Sequence, residues 1–393
     1  MEKKSKSKGK KNVISLGWVS FFGGISQDMI VPLLPVYYSQ ILGLNKEVIG
    51  FIEGFMQAVV SISEMLSGFL SDKLKKRKSL VFIGYLFSAA ARVLFFLTTG
   101  ALSVLGLRSI DGVGKGLKEA PIDALVATSA EDKNMGLAFG VQKTLDTLGS
   151  VVGPLIASYL LIKFVKFTDA KKYRTIFIIG GLIAFVTIFI VHFFVTERSE
   201  NAEVSKIKVD FSLLKGKFLL FFIVMMLFTL GNSSDAFLIL RAKSIGVSTV
   251  SITLIIAVFN LFYALLSIPS GVLSDKIGRV NVIRLGWILY VLTYIGFALA
   301  KFPWQIWILY GVYGVYYSMT QGVAKSLVAK IVPSNVQGTA FGLYNASMGI
   351  LAIPASTVAG VLWDKVSPAA PFYFGAACAV LSIILITFLK IEE

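Results

Sequence analysis

RSIDGVGKGLKEAPID, running from Arg108 to Asp123, holds six charged residues between two runs, 102–107 and 124–130, that carry none. Each residue of a helix turns about 100°, so Arg108, Asp111, Lys115, Lys118, Glu119 and Asp123 fall in a stripe roughly 140° wide. The opposite side is glycine, valine, leucine and alanine. A charge near the centre of a bilayer costs about 2.5–3.5 kcal/mol on insertion scales. If this helix lies in a membrane, the stripe therefore faces water, a partner charge or a substrate.

The composition puts it in a membrane. Of 393 residues, 56% are hydrophobic and 15% charged, and the mean hydropathy is +0.78; soluble domains carry about 25% charged residues. Apolar runs of spanning length recur, and we read twelve of them: 13–42, 48–70, 79–99, 102–128, 137–162, 174–195, 217–241, 249–272, 282–300, 305–330, 338–362 and 371–390. With twelve spans, the termini share a side. The loops on that side, with both tails, hold 22 Lys and Arg, against ten on the other. The positive-inside rule then predicts cytoplasmic termini and a multi-pass protein of the cell membrane.

Several chemistries are excluded. One cysteine, Cys378, allows no disulfide framework and no Cys-based metal site. The one histidine, His192, lies at a span end and reads as interfacial. No cleavable leader is expected, since the basic start runs into a span that carries Asp28. The net charge of +16 lies in a short tail expected to be disordered (Lys3, Lys4, Lys6, Lys8, Lys10 and Lys11) and in short loops. It reads as a topology signal and attraction to anionic lipid, with no nucleic-acid partner. GVGKGL at 112–117 lacks the Gly-Lys-Ser/Thr of a nucleotide loop. No cofactor, metal or enzymatic activity is expected.

The chain is internally duplicated. GFLSDKLKKRK at 68–78 matches GVLSDKIGRVN at 271–281, 203 residues later. That offset brings Gln57 onto Asn260. GLAFG at 136–140 matches GTAFG at 338–342, Gly149 with Pro154 matches Gly349 with Pro354, and GISQD at 24–28 resembles GNSSD at 231–235. The expected fold is an all-α integral membrane protein of twelve transmembrane helices in two pseudo-symmetric six-helix bundles. Its domains are a basic cytoplasmic tail (1–12), a first bundle (13–195), a cytoplasmic linker (196–216) and a second bundle (217–393). In such a duplication the substrate path is expected between the halves, near the midplane.

These motifs resemble the major facilitator superfamily, and the resemblance covers the whole chain. The loop after span two follows that family's pattern of Gly, Leu, Asp and basic residues: Gly68, Leu70, Asp72, Lys73, Lys76 and Arg77, with Gly271, Asp275 and Arg279 in the second copy. The resemblance implies a gating latch, with Asp72 meeting the start of span eleven and Lys76 pairing with Asp123. The pattern's glycine is Lys75 in the first copy and Gly278 in the second. In span four, Arg108 followed by Gly112 resembles the family's second motif, whose Arg is implicated in proton coupling; here Asp111 and Lys115 add charge to it. GSVVGPLIA in span five resembles the GxxxGP motif of drug and proton antiporters. Gly149 and Gly153 allow close packing there, and Pro154 allows a kink. PLLP at 32–35, IEG at 52–54 and GKGLKEAPIDAL at 114–125 are similar to a group of prokaryotic permeases.

Other polar residues inside spans complete the candidates. Asp28 and Asp235, at corresponding places in spans one and seven, join Arg108 and Asp111 as proton-coupling candidates, because a buried carboxylate in a span is a functional candidate by default. Gln57, Lys115, Lys118, Glu119, Lys143, Asp146, Asn232, Asn260, Gln321 and Lys325 are candidates for contact with a small-molecule substrate. Arg92 reads as the partner of a neighbouring acid. The expected activity is secondary active transport by alternating access, as a monomer: proton-coupled export of a small polar or charged molecule. The alternatives are a proton-coupled uptake symporter or a ligand-sensing transceptor.

Overall fold

The computed structural model describes residues 2–130, 134–197, 216–332 and 337–388, without the side chains of 2–8, Asp72 and 337–339. Nearly all of them are helical and none is in a strand. We number the helices by span: α1 (Glu2–Ile30), α2 (Lys46–Leu74), α3 (Arg77–Leu94), α4 (Ala101–Ser129), α5 (Met135–Lys163), α6 (Asp169–Phe194), α7 (Gly216–Gly231, resumed over Ala236–Ser244), α8 (Thr249–Ile277), α9 (Arg279–Leu299), α10 (Pro303–Ile331), α11 (Gln337–Lys365) and α12 (Ala370–Ile386). Most of the expected linker, 198–215, lies outside the described residues.

Nine of the described helical spans are long and apolar enough to cross a membrane, and α12 is a shorter apolar helix. The other two are the chemically loaded ones. Helix α4 carries the charged stripe, and α10 buries Tyr310, Tyr313 and Tyr316 along with Ser318 and Thr320. Large apolar side chains remain exposed along the helices, such as Leu182, Phe189 and Phe193 on α6 and Leu292 and Leu299 on α9. A bilayer makes such exposure favourable, because lipid solvates these side chains while the helices satisfy their own backbone.

Two helices are interrupted for local reasons. After α1 the chain passes through a tight turn at Val31–Leu33 and a wide one at Tyr37–Ile41. Pro32 and Pro35 each lack the N–H that a regular helix interior needs. In α7 the helix opens at Asn232, Ser233 and Ser234 and restarts after Asp235. Asn, Ser and Asp side chains compete with the backbone for its hydrogen bonds. The basic tail differs from expectation: α1 already begins at Glu2, so residues 2–12 are helical rather than disordered. Lysine is a good helix former, and the adjoining span supplies the nucleus.

The chain forms two compact units, Met1–Tyr37 with Val59–Lys206, and Tyr38–Ala58 with Ile207–Glu393. In the first, α1 and α5 approach closely. A Cβ on Gly149 would stand 2.2 Å from the Phe21 carbonyl oxygen, and one on Gly153 2.6 Å from that of Ile25. A Cβ on Gly114 would stand 2.6 Å from the Gly84 carbonyl, locking α4 onto α3. Without a hydrophobic driving force between helices in lipid, such small-residue contacts are what let them pack. In the second unit, the first half of α2 packs on α11 by the same device: a Cβ on Gly54 would lie 2.4 Å from the Ala352 carbonyl and one on Gly50 2.1 Å from that of Ser356. The Asp364 carboxylate then accepts the Lys46 and Glu47 N–H groups, at 2.7 and 3.0 Å, capping α2.

Candidate functional site

The charged stripe of α4 resolves into a buried part and an exposed part. Arg108, Asp111 and Lys118 are buried, Lys115 is half-buried, and Glu119 and Asp123 are exposed. Asp111 is the hub. Its carboxylate lies 3.3 Å from Arg92 Nε on α3 and 3.8 Å from Arg108 Nη1 one turn away. The glycine contact of α4 on α3 brings Arg92, only 2% exposed, into that reach. Arg92 also donates through Nη1 to Ser26 Oγ at 2.9 Å, on the turn of α1 that bears Asp28. Lys118 stands over the Tyr85 ring at 4.1 Å from its centroid, a cation–π contact. Asp28 is half-buried, with the Ser150 hydroxyl of α5 as its hydrogen-bonding neighbour and Arg92, Lys115 and Asp146 as the nearby charges. Lys143 and Asp146 form a pair at 2.9 Å, with the lysine largely exposed. The fully buried set is thus three cations and one carboxylate.

The second unit has a different centre. Asp235, at the break in α7, accepts a hydrogen bond on each oxygen: from Tyr313 at 2.6 Å and from Tyr317 at 3.1 Å. These tyrosines belong to YGVYGVYY at 310–317, a pattern that puts Tyr310, Tyr313, Tyr316 and Tyr317 on neighbouring turns of α10. Around them the rings of Phe259, Tyr263, Phe228, Tyr290 and Tyr294 form a continuous aromatic cluster. Tyr290 donates to the Gly231 carbonyl at 3.0 Å, one of the acceptors left by the break in α7. The tyrosine periodicity was visible in the sequence, but composition alone assigns it to packing.

The turn after α8 has Arg279 bonded to Ser326 Oγ at 3.0 Å and to Asp275 at 3.4 Å; Gly271 has open space beside it. In the turn after α2, Gly68 packs near Ala120, Lys76 and Asp123 are exposed, and the side chain of Asp72 lies outside the described residues. Glu197 accepts the N–H groups of Arg77 and Lys78, and Lys78 Nζ donates to the His192 carbonyl at 2.8 Å. Lys75, where the pattern has glycine, sits at φ +52, while Gly278 has φ +92. Pro154 is buried within α5 beside Gly153.

The family model of the Major Facilitator Superfamily matches residues 16–241 and again 218–393. The chain belongs to that superfamily. An uncharacterised MFS-type transporter of Methanocaldococcus jannaschii is 34% identical over 385 residues, covering 96% of this chain and 95% of the relative. Multidrug resistance protein MdtG of Proteus mirabilis is 26% identical over 392 residues, covering 95% and 94%. The solved structure of a variant of the nucleoside transporter NupG superposes with a TM-score of 0.81 at 14% identity, covering 96% of this chain and all of that one. The protein is a membrane transporter of this superfamily, and its fold is the twelve-helix one.

As a superfamily transporter, it has two polar centres, one in each unit. The first gathers Asp28, Arg92, Arg108, Asp111 and Lys118, and the second joins Asp235 to tyrosine. Gln57 is exposed on the part of α2 that belongs to the second unit; Asn260 is half-buried, and Gln321 and Lys325 are exposed. Asn232 is half-buried in the break of α7, three residues before Asp235.

Proposed function

We propose that the chain is a secondary active transporter that works by alternating access and exports a small charged molecule in exchange for protons. The carrying observation is the buried ionic cluster of α4 next to Asp28. Arg92 bonds both to Asp111 and to Ser26, two residues from Asp28. Charge on Asp28 is therefore felt by the cluster, and a guanidinium keeps its own charge throughout. A carboxylate that takes up a proton on one side and releases it on the other changes the electrostatics of α4 with each cycle. That is the requirement of coupling. The similarity to a multidrug resistance protein supports export. We place the protein in the cell membrane with both termini cytoplasmic, acting as a monomer.

The test is flux in proteoliposomes with a pH-sensitive dye inside. An imposed substrate gradient should move protons in wild type, and Asp28→Asn or Arg108→Ala should abolish that movement while the protein remains folded. Unchanged proton-coupled flux in both variants rejects the assignment. Saturable binding with no flux at all rejects transport in favour of sensing.

A further inference from the structure

The centre of the second unit presents an anion with no cation to answer it. Each oxygen of Asp235 accepts a tyrosine hydroxyl. No cationic side chain comes within ion-pair distance of it among the described residues. Arg241, the next cation along α7, is spent on the carbonyls of Phe297, Ala298 and Ala300 at 2.9–3.1 Å. The two hydroxyls nearest the carboxylate are already used as donors, so beside it remain acceptors and ring faces, with the buried Tyr310 hydroxyl unpartnered one turn from Tyr313. The amide oxygen of Asn232, in the same opened segment, is buried with no hydrogen-bond partner. The ring of Phe259 meets Tyr317 edge-on at 5.3 Å, and Tyr263 meets the same ring at 6.0 Å. Asp235, Tyr317, Phe259 and Tyr263 are only half-buried, so the centre is open on one side.

We propose that this centre is a binding site for a monovalent organic cation with an apolar or aromatic body. An anionic ligand would face a like charge and π faces that repel it. A neutral one would leave the buried carboxylate uncompensated, which is costly in a membrane. A cation with an apolar body answers the carboxylate, the amide oxygen and the rings together: its charge pairs with Asp235, its N–H or polarised C–H groups meet Asn232, and its body lies on the aromatic rings. The first unit offers the opposite, with three buried cations around one carboxylate, so it does not compete for such a ligand. As recognition of a transported molecule the assignment rests on the transport reading above; as a binding site it does not.

Tetraphenylphosphonium and tetraphenylborate have the same shape and opposite charge, which isolates the claim. Equilibrium binding to the purified full-length protein in nanodiscs should show saturable tetraphenylphosphonium binding and no comparable tetraphenylborate binding. Asp235→Asn should weaken the cation by about tenfold or more, and Tyr317→Phe by about threefold, through loss of one hydroxyl that orients the carboxylate. Equal binding of both ions to wild type, no saturable cation binding, or full affinity in a folded Asp235→Asn protein would each overturn the site. The two wild-type ions decide the matter even where a variant does not fold. Cation binding without flux in proteoliposomes would reject transport and keep the site. Flux of the cation that is indifferent to Asp235→Asn would reject the site and keep transport.

Discussion

The two units descend from one repeated sequence, yet their centres use opposite electrostatics. In the first, Arg92, Arg108 and Lys118 surround Asp111, and all four are almost fully buried. In the second, Asp235 is held by tyrosine hydroxyls, with no ionic partner among the described residues. Duplication preserved part of what the backbone needs: the GFLSD and GVLSD turns, and Gly149 with Pro154 against Gly349 with Pro354. It did not preserve what the substrate and coupling ion meet. The lesson is that scaffold and chemistry diverge separately, because packing in lipid rests on small residues while polar chemistry needs only a few large ones.

The comparison breaks first at its hubs. Asp111→Ala strands Arg92 and Arg108 without their shared anion, and removing one member of a buried ionic network costs about 3–5 kcal/mol. We expect severe loss of folded protein, read by fluorescence-detected size exclusion and thermal melting. Asp235→Asn keeps an amide of the same shape among the tyrosines and strands no buried cation, so it should lower the melting temperature far less than Asp111→Ala does. Equal destabilisation by the two would mean that the centres are not different in kind.

Next comes the tyrosine cage. Tyr313→Phe removes the shorter bond to Asp235, and hydrogen bonds to a charged group are worth about 1.5–3 kcal/mol. Its loss should exceed that of Tyr317→Phe, whose bond is 3.1 Å rather than 2.6 Å. The ordering is checked by thermal melting of the two variants side by side. A larger effect at Tyr317 would show that the longer hydroxyl bond, not the shorter one, is the one that holds the carboxylate.

Much of this could be read from residues alone, and the limits have physical causes. Helix positions followed from apolar runs ending in charge or glycine: the span read at 137–162 is Met135–Lys163, and that at 249–272 is Thr249–Ile277. The stripe on α4 was legible because helical spacing is local. Its partners were not. Arg92 meets Asp111, and Lys118 meets Tyr85, only because Gly84 and Gly114 fix the register of α3 on α4, and that register is tertiary. The opened segment of α7 left a trace in the Asn-Ser-Ser-Asp run, but an apolar run on either side masks it. The caps by Glu197 and Asp364 were invisible for the same reason as Arg92: each acts on a helix far away in the chain.

Those caps extend the comparison to helix ends. Glu197 caps α3 within the first unit, and Asp364 caps α2 within the second. A carboxylate at a helix N-terminus satisfies free N–H groups and interacts well with the macrodipole. Loss of a capping side chain typically costs about 1 kcal/mol. Asp364→Ala should therefore speed hydrogen exchange of the Lys46 and Glu47 amides by about fivefold, with the Val48 and Ile49 amides, which Asn45 holds, and those of α3 unchanged. Unaltered exchange at 46 and 47 would mean that Asn45 and the glycine contacts with α11 hold that end without the carboxylate.

The smallest effect lies at one position of the duplicated turns, where lysine stands against glycine. Gly278 has φ +92, a conformation open to glycine, whereas Lys75 has φ +52. A side chain in the left-handed region costs roughly 1–2 kcal/mol. Lys75→Gly removes that strain but gives the unfolded chain more freedom, which takes back about 0.4–1 kcal/mol. The balance is a gain of roughly half to one kcal/mol in the first turn. Thermal melting of Lys75→Gly should therefore show a small rise, and the charge lost should matter little because Lys75 is exposed. A fall in stability would mean that the lysine holds the turn by a contact absent from this conformation, and the two copies would then differ in function as well as in residue.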